Sequence, residues 1–507
     1  METQNLAEDS VPSTEASNTN QPDLKKLKKD AAHGAFWTIL SYGISQILRF
    51  GSNLILTHLL FPDLFGLMSL VNVVIMGLAL FSDLGIGTSI VRSRRSSDPD
   101  FLNTGWTMQI IRGFMIWAVA CVISSPVAQI YNTPQLVWLI PLISLTAVIN
   151  GFISPGLYIS FRNLAVKKVM IMELGTQMIS LGVMITWAWL NPSIYALVAG
   201  TLLSALCHTL WTLNLFPDHR CRFCWNKSAV RELVSFGKWI FLSTALTFLA
   251  GQADRMILGK LFSLEMLGVY TVAYTLSDVP RQLVSVLSGK IIFPVLSRMS
   301  DLPRPEFRRQ LLHTRFRVLL LMALGLTILT CVGDLLILFL YDQRYKQAAW
   351  MLPLLAVGVW PNMLSQTIDQ ALYAVGRPSF SALGNFFRFI YIVIAIPLGY
   401  YYYGVAGAII MVAFKDGPYN LAISLGVSRE GLSSFKQDVL ATLALLAMLS
   451  AAVYGRWLLG WGLPTDGMVF EPQTALDPVA QIQQIAEELW GRARLLYEQL
   501  PLILQGH

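Results

Sequence analysis

Residues 237–268 read GKWIFLSTALTFLAGQADRMILGKLFSLEMLG, and residues 35–66 read AFWTILSYGISQILRFGSNLILTHLLFPDLFG. Shifted by 202 positions, the two lie on one another without a gap. Trp37, Leu40, Ser41, Ile55, Leu56, Leu59 and Gly66 meet Trp239, Leu242, Ser243, Ile257, Leu258, Leu261 and Gly268. Asp63 answers Glu265, so each apolar segment runs into the same acidic turn. Self-similarity at this period makes the chain two similar halves that meet near residue 230. The copies differ in charge: Asp254-Arg255 stands where the first copy has Ser52-Asn53, and Arg49 falls on Gly251.

The 507 residues are 54% hydrophobic and 13% charged, and the mean hydropathy is +0.55. Soluble chains carry about 25% charged residues. Apolar runs of about 20 residues recur throughout, each long enough to cross a bilayer as a helix. The expected fold is therefore all-α, a polytopic membrane protein of two six-helix bundles in parallel repeat plus one extra hydrophobic segment. The net charge of +7 is explained by loop topology, not by a nucleic-acid partner, and Cys121, Cys207, Cys221, Cys224 and Cys331 form no disulfide framework.

Membrane helices are expected near 35–60, 64–91, 104–130, 135–160, 169–190 and 193–216, and again near 236–260, 266–296, 316–340, 347–375, 379–401 and 403–426. The corresponding domains are a tail (1–33), a first bundle (34–216), a basic linker (217–235), a second bundle (236–426), an extra segment (427–462) and a second tail (463–507). Residues 1–33 are polar, end near Lys25-Lys26-Leu27-Lys28-Lys29, and read as a disordered cytoplasmic tail. The late apolar start and the lack of a small-residue cleavage site argue against a signal peptide.

The loops alternate in character. Those after even-numbered helices carry Arg92, Arg94, Arg95; Arg162, Lys167, Lys168; Arg220, Arg222, Lys227, Arg231; Arg298, Arg304, Arg308, Arg309; Arg377; and Arg429, Lys436. Loops after odd-numbered helices are short, with Lys260, Arg344 and Lys346 as their cations. Positive charge stays on the side where translocation begins, so the even loops and the amino terminus are expected in the cytoplasm. Both repeat copies then run in one direction, as in a repeat about an axis along the membrane normal. Pro280, Pro294, Pro353, Pro361 and Pro397 supply bends to the second half.

The apolar segment 438–461 has no counterpart in the first half. If it spans, the carboxyl tail lies outside; if it is re-entrant, the tail is cytoplasmic. Within the tail, Val479, Ile482, Ile485, Leu489, Ala493, Leu496 and Leu500 recur at spacings of three and four, an amphipathic helix pattern.

An ionisable group inside hydrocarbon costs roughly 2.5–3.5 kcal/mol on insertion scales unless it pairs or faces water. Arg49 and Arg281 fall near mid-membrane, Arg112, Arg388 and Lys290 toward the cytoplasm, and Asp254 and Arg255 toward the outside. Acidic partners are available in Asp83, Glu173, Asp278 and Asp369. Two readings stand: internal pairing or snorkelling, or a cationic cavity between the halves that takes an anionic headgroup, for which arginine's bidentate geometry suits phosphate. Asp254 and Arg255 are adjacent, lie on different faces of a helix and each need a separate partner. His219, Cys221 and Cys224 form H-x-C-x-x-C, which lacks a fourth ligand for zinc. No metal or other cofactor is expected. Walker A, G-x-S-x-G, H-E-x-x-H and Rossmann sequences do not occur, which removes the usual ATPase and hydrolase chemistries.

The stretches LLFPDLFGLMSLVNVVIMGLALFSDLGIGTSIVR (59–92), ADRMILGKLFSLEMLGVYTVAYTLSDVPRQLVSVLSGKIIFPVLSRMSD (253–301), AAWMLPLLAVGVW (348–360) and ALYAVGRPSF (371–380) together resemble the polysaccharide transporter family. These are the O-antigen flippase-type exporters of lipopolysaccharide and exopolysaccharide, in the multidrug/oligosaccharidyl-lipid/polysaccharide exporter superfamily. The resemblance covers residues 34–426. It implies alternating access around a central cationic cavity, with a polyprenyl-pyrophosphate-linked sugar repeat unit as substrate, in a bacterial inner membrane. It supplies no invariant catalytic motif. The site residues therefore rest on charge: Arg49, Arg112, Arg281, Lys290 and Arg388 for the substrate, Asp254 and Arg255 as a gate or charge pair, and Asp83 and Asp369 (with Asp254) for ion coupling. The thirteenth segment departs from a twelve-helix pattern.

Two other readings compete. A cation-coupled multidrug or metabolite antiporter of the same superfamily wants acidic groups in its cavity, whereas the central groups here lean basic. A membrane glycosyltransferase, polymerase or ligase wants a sizeable outer loop or an interfacial acid, and the outer connections here are a few residues long. The expected partners are the lipid-linked oligosaccharide, membrane lipids and polysaccharide polymerase or assembly proteins.

Overall fold

The computed structural model describes residues 24–82, 98–162, 166–215, 221–288, 303–375 and 379–470, with isolated residues between them. The first half comprises α1 (Leu24–Leu59), α2 (Pro62–Phe81), α3 (Pro99–Ile130), α4 (Leu136–Gly151), α5 (Gly156–Arg162), α6 (Val166–Leu190) and α7 (Ile194–Leu215). The second comprises α8 (Lys227–Leu261), α9 (Leu264–Ser277), α10 (Val279–Leu287), α11 (Arg304–Leu340), α12 (Ala348–Gly358), α13 (Trp360–Ala374), α14 (Ser379–Ala413) and α15 (Gly417–Arg429), followed by α16 (Phe435–Leu458). No strand occurs among the described residues, and eight helical stretches are long and apolar enough to cross a membrane.

Helix ends follow local chemistry. The Asp98 carboxylate accepts from Asp100 N to start α3, Asn226 accepts from Ser228 N and Ala229 N to start α8, and the Ser263 hydroxyl accepts from Met266 N to start α9. Pro280, Pro361 and Pro418 sit in the first turns of α10, α13 and α15. There a missing N–H is harmless to the new helix, but it removes a bond back to the preceding turn and the ring crowds that turn's carbonyl, so each proline marks a break in a longer rod. At Gly404 the backbone takes φ 62° and ψ −146°, which turns α14 back on itself.

The duplication is visible in the fold. α1 ends at Leu59 and α8 at Leu261, while α2 begins at Pro62 and α9 at Leu264, each pair 202 residues apart. A later echo joins α4 and α12, where Trp138-Leu139-Ile140-Pro141 answers Trp350-Met351-Leu352-Pro353. The two copies pack where α2 meets α9. A Cβ on Gly66 would overlap the Leu264 carbonyl, and one on Gly268 would overlap the Pro62 carbonyl. Within a bilayer, where lipid tails are as apolar as leucine, close backbone approach of this kind is what holds helices together.

More links between the halves gather at this same end of the bundle, opposite the basic loops. The Tyr345 hydroxyl donates to the Leu60 carbonyl at 3.3 Å, and Arg344 Nη2 donates to the His58 carbonyl at 3.0 Å. In the reverse sense, the Tyr131 hydroxyl donates to the Met256 carbonyl at 3.2 Å and Lys260 Nζ to the Ile130 carbonyl at 2.7 Å. Toward the basic face, the 221–226 segment lies along α3: the amides of Arg222, Cys224 and Asn226 donate to Asn103, Thr107 and Thr104.

Several expected boundaries move. Helix α1 begins at Leu24, so residues 24–33, read as part of a disordered tail, are helical; residues 1–23 lie outside the described set. Helix α8 begins at Lys227 because Asn226 caps it, nine residues before the expected start at 236. Segment 438–461 falls largely on α16, which is long and apolar enough to cross a membrane. Near the basic face Arg315 Nη1 pairs with Asp438 at 2.6 Å, and at the other end of the parallel α11 Arg456 pairs with Asp334. The 18 residues between those contacts rise about 27 Å as a helix, close to the hydrocarbon thickness. Residues 459–470 then lie at the end opposite the basic loops, with the Phe470 ring 6.0 Å from that of Tyr403. The amphipathic pattern after Met468 falls on 471–507, outside the described residues.

Candidate functional site

Three interrupted rods of the second half converge on one cavity of about 240 Å³. Its wall takes Asp278 and Arg281 from the α9/α10 break, Gly358, Val359 and Asn362 from the α12/α13 break, and Lys415 and Asp416 from the 3-10 turn Phe414–Asp416 between α14 and α15. Met76 and Leu80 of α2 close it from the first half. Irregular backbone at membrane depth is tolerated where it is buried in protein or lines a cavity, and these breaks carry the charges into that space.

Each cation there has a carboxylate. Arg281 holds Asp278 through Nε at 2.5 Å and Nη2 at 2.8 Å, a two-point grip across one helical turn. Arg388 pairs with Asp416 and lies 4.7 Å above the Tyr419 ring. Lys415 Nζ donates to Asp254 Oδ2 at 2.6 Å, and Asp254, 1% exposed, also accepts from the Tyr270 hydroxyl at 3.2 Å. Arg281, Arg388 and Lys415 stand against Asp278 and Asp416 on the wall, and Asp254 behind Lys415 completes the balance. The cavity carries paired charges in a partly apolar wall and is close to neutral, not the uncompensated cationic chamber that the arginines alone suggest.

Arg49 is placed elsewhere. It lines a larger cleft of about 730 Å³ between α1 and the α9–α10 rod, on the side of that rod away from the first cavity. The cleft mixes Gln46, Ser52, Asn53, Asn72 and Gln282 with Ile47, Phe50, Leu56, Phe65, Met184 and Leu276. Arg49 is exposed and forms no ion pair among the described residues. A chain of hydrogen bonds links the two spaces: Gln46 Nε2 donates to Gln282 Oε1 at 3.0 Å, and Gln282 Nε2 donates to Asp278 Oδ2 at 3.0 Å.

The other candidates divide. Arg112 lines neither space; its Nη2 donates to the Ala79 carbonyl at 2.7 Å and its Nε to the Ser82 hydroxyl at 3.1 Å, so it closes the carboxyl end of α2, where a cation complements the helix dipole. Arg255 does not reach the Asp254 carboxylate with its guanidinium; Nη1 donates to Gln252 at 2.9 Å and the group lies 4.9 Å from the Tyr274 ring centre. The separate partners expected for these neighbours are therefore present. Asp369 is buried, accepts from the Ser381 and Tyr419 hydroxyls at 2.5 and 2.9 Å, and has no cation bonded to it among the described residues. Lys290 and Asp83 lie outside the described residues, as does His219. Cys221 and Cys224 have their sulfurs 3.9 Å from Ser154 Oγ and Asp100 Oδ1 respectively.

Sequence reading passed over Lys415 and Asp416, although the signal that marked Asp254-Arg255, adjacent charges within an apolar segment, is equally present in MVAFKDGPYN. It also missed the pairs Arg315–Asp438 and Arg456–Asp334, each formed between segments more than 100 residues apart.

Comparison with solved structures places the fold. A lipid II flippase, MurJ, in an inward closed conformation superposes with a TM-score of 0.62 at 14% identity, covering 83% of this chain and 92% of that one. A multidrug resistance MATE family transporter of the MOP superfamily, inward-facing, gives 0.60 at 12% identity, covering 80% and 95%. Among proteins related in sequence, the lipopolysaccharide biosynthesis protein WzxC of Escherichia coli (strain K12) is 21% identical, covering 74% of this chain and 76% of that protein. The teichuronic acid biosynthesis protein TuaB of Bacillus subtilis (strain 168) is also 21% identical, covering 70% and 73%. The succinoglycan biosynthesis transport protein ExoT of Rhizobium meliloti (strain 1021) is 22% identical, covering 65% and 66%. The polysaccharide biosynthesis protein family model matches residues 55–350, which is more than half of the chain, and this multi-pass membrane protein belongs to that family.

Proposed function

We propose that this protein is a flippase that moves polyprenyl-pyrophosphate-linked oligosaccharide repeat units from the cytoplasmic to the outer leaflet by alternating access. The observation that carries the reading is Arg49, a cation without an acidic partner among the described residues, in a cleft of about 730 Å³ whose wall is part amide and part hydrocarbon. A phosphate on a lipid chain needs both kinds of surface, and an arginine can bind it bidentately. The succinoglycan biosynthesis transport, teichuronic acid biosynthesis and polysaccharide biosynthesis named for its relatives, and the MurJ fold, support the same reading.

The moving parts in this reading are bundles 34–216 and 236–426, with the basic loops and amino terminus in the cytoplasm of a bacterium and the membrane its inner one. The halves are joined at the end opposite the basic loops through Gly66 and Gly268, and alternating access would part them there. Arg281 and Arg388 serve the phosphate when Asp278 and Asp416 release them, and Lys290 extends the cationic path. Asp369, or Asp83, would carry a coupled cation, and Asp254 with Arg255 holds the outer side. A substrate with about two negative charges moving outward across an inside-negative membrane gains on the order of 2.3 kcal/mol per charge per 100 mV, so export is electrically downhill. A polymerase or other assembly protein would consume the delivered unit.

The test is charge reversal at Arg49 and Arg281 in a strain that depends on this protein for surface polymer. Loss of polymer, with lipid-linked repeat units accumulating on the cytoplasmic leaflet and normal amounts of protein in the membrane, is expected. Normal polymer from well-expressed double variants removes the assignment.

A further inference from the structure

Helix α11 carries a feature that transport does not use. Its first turns turn Phe307 and Leu311 inward to a core with Ile368, Leu372 and Ile423. Two of its arginines are consumed by α16 and the turn before it: Arg308 Nε donates to the Ser433 carbonyl at 2.8 Å, and Arg315, 3% exposed, pairs with Asp438. Three other cations of the helix face out. Arg309, His313 and Arg317 are exposed and fall four residues apart, one above another on a single helical face. Arg317 Nη2 donates to the His313 ring at 3.3 Å. Neither arginine forms an ion pair among the described residues; Glu306, exposed a turn earlier, is the nearest acid on the same helix.

The same face continues as hydrocarbon. Leu321, Leu324 and Ile328 are 66%, 49% and 56% exposed, so polarity changes from cationic to apolar between Arg317 and Leu321. Beside it, α16 begins with exposed Phe435 and Lys436, and Gln437 Nε2 donates to the Leu312 carbonyl at 2.7 Å, which keeps that end of α16 against α11. A basic step directly above a lipid-facing strip matches a phosphodiester with its acyl chains below. Free phosphate would use the cations and ignore the strip.

We propose that Arg309, His313, Arg317 and Lys436 form a binding site for the headgroup of an acidic phospholipid, whose acyl chains lie along Leu321, Leu324 and Ile328. Juxtamembrane cations attract anionic lipid by amounts that correspond to about fivefold in affinity per charge, so removing three should weaken binding on the order of 100-fold.

The experiment uses the full chain in detergent, melted during titration with dioleoylphosphatidylglycerol, dioleoylphosphatidylcholine or inorganic phosphate. Phosphatidylglycerol is expected to raise the melting temperature of the wild type, and the other two are not. Arg309→Gln/Arg317→Gln/Lys436→Gln should lose the response. Arg222→Gln/Lys227→Gln/Arg231→Gln, which removes three cations elsewhere on the same face, should keep it. The proposal is overturned if the first variant responds like wild type, if the second loses as much, or if phosphate alone reproduces the effect. Should the triple variant fail to purify, Arg317→Gln alone replaces it, with a loss of about fivefold expected and an unchanged response overturning the site.

Discussion

Gly66 and Gly268 occupy the same place in the two copies of the repeat and meet each other across the boundary between them. The backbone of each stands where the other's Cβ would be, Gly66 against the Leu264 carbonyl and Gly268 against the Pro62 carbonyl. Such reciprocity, residue i touching j and its equivalent j touching i, is what a two-fold relation produces. One methyl group should therefore act on both copies. Gly66→Ala or Gly268→Ala is expected to cost the closed seam about 1–3 kcal/mol, because the obstacle is backbone and not a side chain that can move aside. With Met76→Cys as reporter in the cavity, labelling by a membrane-impermeant maleimide from the side opposite the basic loops should rise several-fold. Unchanged labelling would show that the glycine pair does not hold that end.

Asp254 and Lys415 form a pair in which one side chain is 1% and the other 11% exposed. Removing one partner strands the other charge in a dry site, which costs about 3–5 kcal/mol, whereas replacing both with apolar groups is near neutral. Asp254→Ala should reduce the yield of monodisperse protein and its melting temperature, and Asp254→Ala/Lys415→Met should recover most of both. A single variant as stable as wild type would contradict this.

Arg49 and Arg281 should separate stability from transport. Arg49→Gln leaves no carboxylate unpaired among the described residues, so stability should change by less than about 0.5 kcal/mol. Arg281→Gln frees Asp278 and should lower the melting temperature more. Equal melting temperatures for the two variants would mean that the Arg281–Asp278 grip is immaterial to the fold.

The seam carries its own acid sensitivity. Hydrogen bonds from the Arg344 side chain, joined by the Arg344 amide, hold the Asp342 carboxyl below the usual carboxylate range. A carboxyl with a lowered folded value contributes stability that is fully present above its unfolded value of about 3.9 and is lost as pH falls through the folded one. Arg344, which also donates to the His58 carbonyl, should thus hold the seam unchanged from pH 8 to 5 and loosen below about 4. Asp342→Asn should remove that acid limb from a plot of melting temperature against pH; an identical limb in the variant would assign it to other groups.

Much of this architecture was legible beforehand for a physical reason. Segment length, apolarity and the side on which lysine and arginine collect are local properties, each set by the cost of exposing a residue to lipid or carrying it across. Pro280 and Pro361 announced bends through their own covalent geometry, and the duplicate halves announced themselves through Trp37/Trp239 and Gly66/Gly268. What resisted reading was the fate of each charge. Arg49, Arg112 and Arg281 look alike as lone cations in apolar stretches, yet Arg112 closes a helix end, Arg281 grips Asp278 and Arg49 faces a cleft.

The amino-acid sequence by itself thus determined that the chain spans a membrane as helices in two related halves, because burial in hydrocarbon acts on every segment independently of its neighbours. Only the tertiary structure decided which charges are spent within the protein. Lys415 reaches Asp254 across 161 residues because three proline-marked breaks bring their loose ends to one cavity. That convergence depends on how whole helices pack, and no single segment contains it.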